Sequence, residues 1–357
     1  MSNQIHGASA PTGLREYLLQ LMEGRRIPGM QVAIVRDGKV ECLDALGMAN
    51  VEHRVPTIRE SIFSIISMAK AFTGVALMQL VEVGRLDLGS PVSRYLDGLP
   101  EPWRPVTVRQ LATFTSGLPE IMTIAADFSM GLIGGGGEQE AWEAAFALPM
   151  EFAPGEGYRY VQTNYALLGK IIDRLSGKPF TEFIAERQFA AAGMSHTLFA
   201  NDTDIIQNRA NSYMSINVDG GAASTVSNSY INCPPILRTS AGLHSTAEDL
   251  AHWITALQHG SLLKQASSLE TLCTRVPLHD GRPGVWGIGW PIGSSYAGPI
   301  SAAAGGAKAQ IALYADGLAV VLLANLIGAF PEQFAPITAG EIDLAFIDPI
   351  ARYYARR

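Results

Sequence analysis

Residues 62–84 read IFSIISMAKAFTGVALMQLVEVG. From Ile62 to Val81 the stretch is largely apolar, and Lys70 is its only charge. The pattern predicts a helix over 67–83, closed by Gly84 at the position where a left-handed backbone favours glycine. Ser67 opens that helix and Lys70 follows three residues on, so both side chains share a face. A lysine in such a run is costly unless something pairs or uses it. Burial lowers a lysine pKa, and a neutral amine can take a serine's proton. The helix N-terminus adds positive potential that favours an oxyanion nearby. The same spacing recurs at Ser261-Leu262-Leu263-Lys264, but that copy follows His259-Gly260 in a polar connection. Context therefore selects Ser67 and Lys70.

N-terminal to this stretch, residues 14–24 read as an amphipathic helix. Met30 to Val35 and Val40 to Leu46, split by Arg36-Asp37-Gly38-Lys39, read as a β-hairpin. C-terminal to it, from Leu86 to about Gly193, the pattern is helical and broken by loops. Gly134 to Gly137 reads as a surface linker or a mobile flap, not a phosphate loop, because no Gly-Lys-Ser/Thr follows. Residues 208–240 are rich in Ser, Asn and Gly and read as irregular. Ser245-x-x-Glu248 looks like a capping box that opens a helix through Leu257. Trp286 to Trp290, Ala309 to Tyr314 and Leu318 to Ala324 read as strands, with a turn at Ala315-Asp316-Gly317. A closing helix is expected over about 339–356. Strands at both ends with helices between predict an α/β (α+β) fold. One α/β domain would be built from residues 1–85 and 240–357, and a mainly helical domain with irregular loops from 86–239.

The chain has 357 residues, of which 48% are hydrophobic and 17% charged, and its formal charge is −7. A charged share below the usual ~25% excludes a disordered chain or coiled coil. No basic tract stands out, so no nucleic-acid partner is expected. The longest candidate membrane stretch, Ala71 to Val81, is about half a span, so no membrane partner is expected. Cys42, Cys233 and Cys273 form no C-x-x-C and are expected as free thiols in a reducing compartment. Met1 to Gly13 lacks a basic n-region and an apolar h-region, so a cytoplasmic location is expected. There is no G-x-S-x-G elbow, no H-E-x-x-H and no G-x-G-x-x-G after a strand. His244, Glu248 and His252 share a helical spacing of four, but Glu248 is explained as a cap partner, so no metal site is expected.

Several further stretches carry a resemblance. Gly84-Arg85-Leu86-Asp87-Leu88 with Pro91-Val92 follows the Ser67–Lys70 helix. Leu111 precedes Thr115-Ser116-Gly117-Leu118-Pro119. Pro154-Gly155 is followed by Tyr160 and by Asn164-Tyr165-x-Leu167-Leu168-Gly169. Ser240-Ala241-Gly242-Leu243 precedes Ser245-Thr246-x-x-Asp249-Leu250. Over about residues 28–330 the chain resembles the serine β-lactamase-like hydrolases: class C β-lactamases, D-alanyl-D-alanine carboxypeptidases, D-aminopeptidases and family VIII carboxylesterases. The resemblance implies a β-lactamase/transpeptidase-like fold, with an antiparallel sheet flanked by helices plus a mainly helical domain.

The resemblance also assigns roles. Ser67 would be the nucleophile and Lys70 its base. Tyr160 would share the proton with Lys70 and hand it to the leaving group. The family's Tyr-x-Asn is here Tyr160-Val161-Gln162, so Gln162 would offer its amide to a substrate carbonyl. A literal match, Tyr230-Ile231-Asn232, lies in the Asn/Ser-rich loop without the flanking motif. Phe114 stands where the family usually has histidine. The family's Lys-Thr-Gly or His-x-Gly strand falls in Ser301-Ala302-Ala303-Ala304-Gly305-Gly306-Ala307-Lys308. Two registers are open, headed by Ser301 or by Ala303, and neither supplies a Lys or His. Lys308 in a shifted position is a further option. Backbone N–H groups around Ala304, Gly305 and Gly306 would complete an oxyanion hole with that of Ser67.

The function implied is a serine hydrolase that forms an acyl-enzyme and acts on a small-molecule ester or amide, without cofactor or metal. An esterase activity on a neutral acyl substrate is favoured, because the carboxylate-reading head is missing. The alternatives are a D-amino-acid peptidase or amidase or a β-lactamase, an acyltransferase, and a non-catalytic binding or sensor module. The oligomeric state is left open.

Overall fold

A computed structural model of the chain describes residues 9–125, 129–216, 225–295, 298–306, 308–333 and 346–354. In chain order the strands are β1 (Gly29–Arg36), β2 (Lys39–Asn50), β3 (Val55–Pro56), β4 (Phe63–Ser64), β5 (Met122–Ile124), β6 (Met130–Leu132), β7 (Leu198–Phe199), β8 (Ser212–Ile216), β9 (Thr225–Ser229), β10 (Leu243–Ser245), β11 (Ile292–Ser295), β12 (Gly298–Gly305), β13 (Ala309–Leu313), β14 (Leu318–Ala324) and β15 (Leu326–Ile327). The helices are α1 (Thr12–Arg25), α2 (Ala69–Glu82), α3 (Val108–Ala112), α4 (Glu138–Ala147), α5 (Gln162–Ser176), α6 (Phe180–Ile184), α7 (Ala247–Gln258), α8 (Ala266–Leu272) and α9 (Asp348–Tyr353).

The main sheet has seven strands in the order β11-β12-β13-β14-β1-β2-β3. All its pairings are antiparallel, and Val32 of β1 faces Leu322 of β14 on one side and Asp44 of β2 on the other. β14 is buried at every position. That explains its unbroken apolar sequence, because a strand covered on both faces has no polar side to show. On one face Val32, Ile34, Val320 and Leu322 pack against Leu14 and Leu18 of α1 and Ile350 of α9. On the other, Ala33, Val35, Val321 and Leu323 join the core around α2 and α7. Residues 69–80 of α2 are all buried. The helix therefore needs no polar face, and an all-round apolar helix belongs inside a core. The Phe72 ring of α2 stacks on Trp253 of α7 at 4.1 Å. The predicted hairpin, its Asp37-Gly38 turn and the Gly84 helix stop are all present. The Gly134–Gly137 run is exposed and leads into α4, where the Glu140 carboxylate accepts from Gly137 N–H at 2.9 Å.

Four expectations need correction. The stretch 208–240 contains the hairpin β8–β9, and β8 also pairs in parallel with β15. Its polar sequence hides the strands because pairing comes from the backbone, as in Tyr213 N–H to Asn325 O at 2.7 Å. Trp286 to Trp290 is not a strand. It bends over α2, where Gly289 has φ +83° and a Cβ there would lie 2.4 Å from Lys70 O. The helix cap is shifted by one residue. Ser245 is still in β10, and Thr246 Oγ1 accepts from Asp249 N–H at 3.1 Å. His244 likewise lies in β10, so it shares no helix face with Glu248 and His252. The closing helix is seen as Asp348–Tyr353, and its predicted residues 339–345 lie outside the described residues. Among the described residues no helix is long and apolar enough to cross a membrane, and no cluster of metal-ligating side chains occurs. Cys42, Cys233 and Cys273 are free thiols.

Candidate active site

The expected helix start divides into two parts. A 3-10 turn over Ile66–Met68 carries Ser67, and the α-helix proper begins at Ala69. Ile66 has φ +44°, an outlier for a β-branched residue. Strain of this kind persists where surrounding contacts over-determine it. Here Ile65 N–H donates to Leu243 O at 2.9 Å and Met68 N–H donates to Ile65 O at 3.1 Å. The turn thus rests on β10, and Ser67 stands half-buried at its crest.

Lys70 is 1% exposed. Its ammonium donates to Ser240 O at 3.0 Å and lies 4.7 Å from the Tyr160 ring centre and 5.4 Å from that of Tyr165. Burial pulls its pKa down to about 7, opposed chiefly by the carboxylate of Glu120. At neutral pH a large fraction of this amine is therefore free to accept a proton. The Tyr160 hydroxyl shares hydrogen bonds with Ser67 and Gln162. Burial raises its pKa above the ordinary phenol value, and those two hydrogen bonds oppose the rise. The structure therefore brings Ser67, Lys70, Tyr160 and Gln162 together. Tyr230 is 50% exposed, and Asn232 of that second triplet accepts from Thr203 Oγ1 at 2.9 Å. Ser261 and Lys264 sit in the connection between α7 and α8, where the Lys264 ammonium merely returns to Ser261 O.

The loop before α5 explains the matching motifs. Ser116 Oγ donates to Asn164 Oδ1 at 2.7 Å, Asn164 Nδ2 to Leu111 O at 3.0 Å, and Thr163 Oγ1 to Pro119 O at 2.6 Å. Gly117 has φ +74°, and a Cβ there would meet Phe152 O at 2.0 Å. These contacts lock residues 115–119 to the first turn of α5, two residues beyond Tyr160. Phe114 also has positive φ, +60°. Its ring packs against Tyr160 at 4.6 Å, Trp286 at 4.7 Å and Tyr165 at 5.2 Å. An apolar ring at this position therefore backs the phenol rather than hydrogen-bonding to it.

β12 runs beside the Ser67 turn. A Cβ on Gly305 would lie 1.9 Å from Ile65 O and 3.1 Å from Met68 N, so only glycine permits the contact. Gly305 thus lies against the turn that carries Ser67. Ser301 instead lines a separate cavity of about 540 Å³ with Cys273, Ile292 and Leu313. The glycine-anchored register is the one that reaches the turn. Lys308 does not fill the vacant head. Its buried ammonium donates to Ser212 Oγ at 2.9 Å in a polar cluster with Asp202, whose carboxylate accepts from His244 Nε2 at 2.9 Å. Sequence reasoning missed Glu120, whose carboxylate accepts from Gln162 N–H with both oxygens at 3.0 Å. It directly follows the Thr115–Pro119 motif, and that adjacency was the available signal. Trp286 was missed as well; its indole N–H donates to Tyr158 Oη at 2.8 Å against the Phe114–Tyr160 ring cluster.

The Beta-lactamase family model matches residues 14–340. The chain belongs to that family. Among curated relatives, Protein flp of Staphylococcus aureus (strain MRSA252) is 28% identical over 232 residues, 64% of this chain and 45% of the relative. The D-aminopeptidase of Gluconobacter oxydans (strain 621H) is 25% identical over 324 residues, 89% of this chain and 60% of the relative. The chain thus spans about half the length of these curated relatives. A solved structure, the octameric penicillin-binding protein homologue from Pyrococcus abyssi, superposes with a TM-score of 0.71 at 27% identity, covering 93% of this chain and 78% of that one. EstCE1, described as a hydrolase with promiscuous acyltransferase activity, superposes with a TM-score of 0.71 at 20% identity, covering 92% of this chain and all of that one. These likenesses and the helix-flanked antiparallel sheet establish the β-lactamase/transpeptidase-like fold expected from the motifs.

Proposed function

We propose that this chain is a serine hydrolase that works through an acyl-enzyme on Ser67. The observation that carries the reading is the hydrogen bond between Ser67 and Tyr160, with the buried Lys70 Nζ 4.7 Å from the Tyr160 ring centre. Ser67 Oγ attacks the substrate carbonyl carbon, and its proton passes to the Lys70–Tyr160 pair. The backbone N–H groups of Ser67 and of the Ala304–Gly306 segment hold the oxyanion. The carbonyl–leaving-group bond then breaks, and Tyr160 returns the proton to the leaving group. Water next attacks the acyl-serine ester, frees the acid and restores Ser67. Gln162, hydrogen-bonded to the Tyr160 hydroxyl, is the amide we assign to the acyl carbonyl.

The favoured substrate is an ester with a neutral acyl part. Ala303 stands where the family carries a cationic or hydrogen-bonding head, and burying a carboxylate there without a partner costs several kcal/mol. A short-chain ester avoids that penalty. A second reading, an amide or D-amino-acid peptide substrate, draws support from the D-aminopeptidase relative. Intact-mass analysis after a fluorophosphonate tests the common core: one adduct on the wild type and none on Ser67→Ala. Turnover then separates the substrates. We expect p-nitrophenyl esters to exceed a chromogenic cephalosporin by about 100-fold or more in kcat/KM, equivalent to roughly 2.7 kcal/mol. Absence of the adduct on the wild type would favour a non-catalytic binding module. Efficient cephalosporin turnover would overturn the neutral-substrate reading.

A further inference from the structure

The first turn of α5 has no cap of its own. Its N-cap residue is Val161, whose side chain offers no acceptor. The orphan N–H of Gln162 is met instead by Glu120, 42 residues earlier, with both carboxylate oxygens at 3.0 Å. Glu120 Oε1 also accepts from Met122 N–H at 3.0 Å, which ties the carboxylate to its own loop. A carboxylate at a helix N-terminus satisfies an unpaired donor and complements the helix dipole. Here it also fixes the two-residue step from Tyr160 to Gln162, the step that presents the phenol to Ser67. Glu120 is half-buried, and burial pushes its carboxyl up, against the pull of those N–H groups and of Lys70.

We propose that Glu120 is a positioning residue of this site: its carboxylate, held by the Gln162 and Met122 N–H groups, fixes the Tyr160–Gln162 step. A second, electrostatic consequence follows, because a charge on Glu120 favours the protonated form of Lys70. The proposal rests on the reading of Lys70 as the base. The groups that face Lys70 are Glu120 from the loop after α3, Cys233 from the segment before β10, Tyr160 from the approach to α5, and Tyr165 within α5. Cys233 is a buried thiol whose pKa burial pushes up to about 12, so it is neutral at working pH. The two tyrosines are likewise neutral, held above the ordinary phenol range by burial. Glu120 is thus the group in this set whose charge, when ionised, favours the protonated Lys70. Its charge favours the ammonium, so its removal lowers the pH at which Lys70 becomes a base.

Two variants separate the two effects. Glu120→Gln keeps an acceptor for Gln162 N–H and removes the charge. Glu120→Ala removes both. The test follows the rate at which a fluorophosphonate labels Ser67 as a function of pH. It also follows Lys70 directly, by NMR titration of the protein carrying ¹³C at the lysine ε position. In Glu120→Gln the acid limb of labelling and the Lys70 titration should both move down by about 0.5 to 1 pH unit. In Glu120→Ala they should move likewise, and the plateau rate should fall about tenfold further as the Tyr160 step loosens. An unmoved Lys70 titration in Glu120→Gln would overturn the electrostatic half. An Ala plateau equal to the Gln plateau would overturn the positioning half. If the wild type takes no label, the hydrolase reading fails, and the Lys70 titration together with the hydrogen exchange of the Gln162 amide still decides both halves.

Discussion

Lys70 is the residue at which stability and chemistry pull apart. Its ordinary pKa is 10.5, and burial holds it at about 7 in the fold. The unfolded chain therefore binds a proton that the folded chain lacks between those values. Stability rises with pH across that window, with a slope approaching about 1.4 kcal/mol per pH unit. Below about pH 7 both states carry the proton and the deficit stays constant. Lys70→Met should thus raise the Tm at pH 7 to 8 while abolishing turnover, and the gain should shrink as pH climbs toward 10. A Tm gain that does not vary with pH would contradict the depressed pKa. Lys70→Arg should be nearly as inactive as Lys70→Ala, because arginine keeps its charge and cannot release its proton. Steady-state ester hydrolysis measures this, and an active arginine variant would reduce the lysine to an electrostatic role. Ser67 and Lys70 were legible because a lone charge in an apolar run is conspicuous. Glu120 and Trp286 were not: adjacency to the Thr115–Pro119 motif was the one local hint at Glu120, a tryptophan in a glycine-rich run gives none, and their roles come from partners 42 and 128 residues away.

At the scale of elements, the contact between β12 and the Ser67 turn decides the oxyanion geometry. Gly305→Ala would place a methyl within 1.9 Å of Ile65 O, so the strand or the turn must yield. Backbone cannot move aside as a flexible side chain does. We expect kcat on an ester to fall at least about 100-fold, the scale of losing an oxyanion donor, with KM changed far less. An alanine variant with unchanged kcat would show that this strand supplies no donor. The Thr115–Pro119 loop offers a second test. Asn164→Ala removes the acceptor of the Ser116 hydroxyl and one donor to Leu111 O in a fully buried setting. Such a loss typically costs about 1–3 kcal/mol, measurable by urea denaturation. Elements marked by apolar runs bounded by turn or cap residues, such as α2, β1, β2 and β14, could be read from sequence. β8, β9 and the Trp286–Trp290 bend could not, since pairing with β15 and close approach to Gly74 of α2 create them.

In the whole molecule, β1 pairs with β14 in the middle of the sheet, Met30 opposite Ala324. Helix α1 covers this seam through Leu14 and Leu18, both fully buried. Leu18→Ala should therefore destabilise the fold by about 2–5 kcal/mol and do so in one cooperative thermal transition. A separate early transition would show that the N-terminal helix melts on its own. The helical segments α3 to α6 lie between the two strand-bearing ends of the chain and deliver Tyr160 to the Ser67 turn. Chain order in this seam also bears on biosynthesis. A ribosome releases the turn and helix carrying Ser67 and Lys70 first and Tyr160 next. The strand carrying Gly305 follows 145 residues after Tyr160. A nascent chain can carry its nucleophile and proton relay yet lack half of its oxyanion hole. The polypeptide should stay chemically quiet until β12 has been delivered, a delay imposed by the order in which the sheet receives its strands.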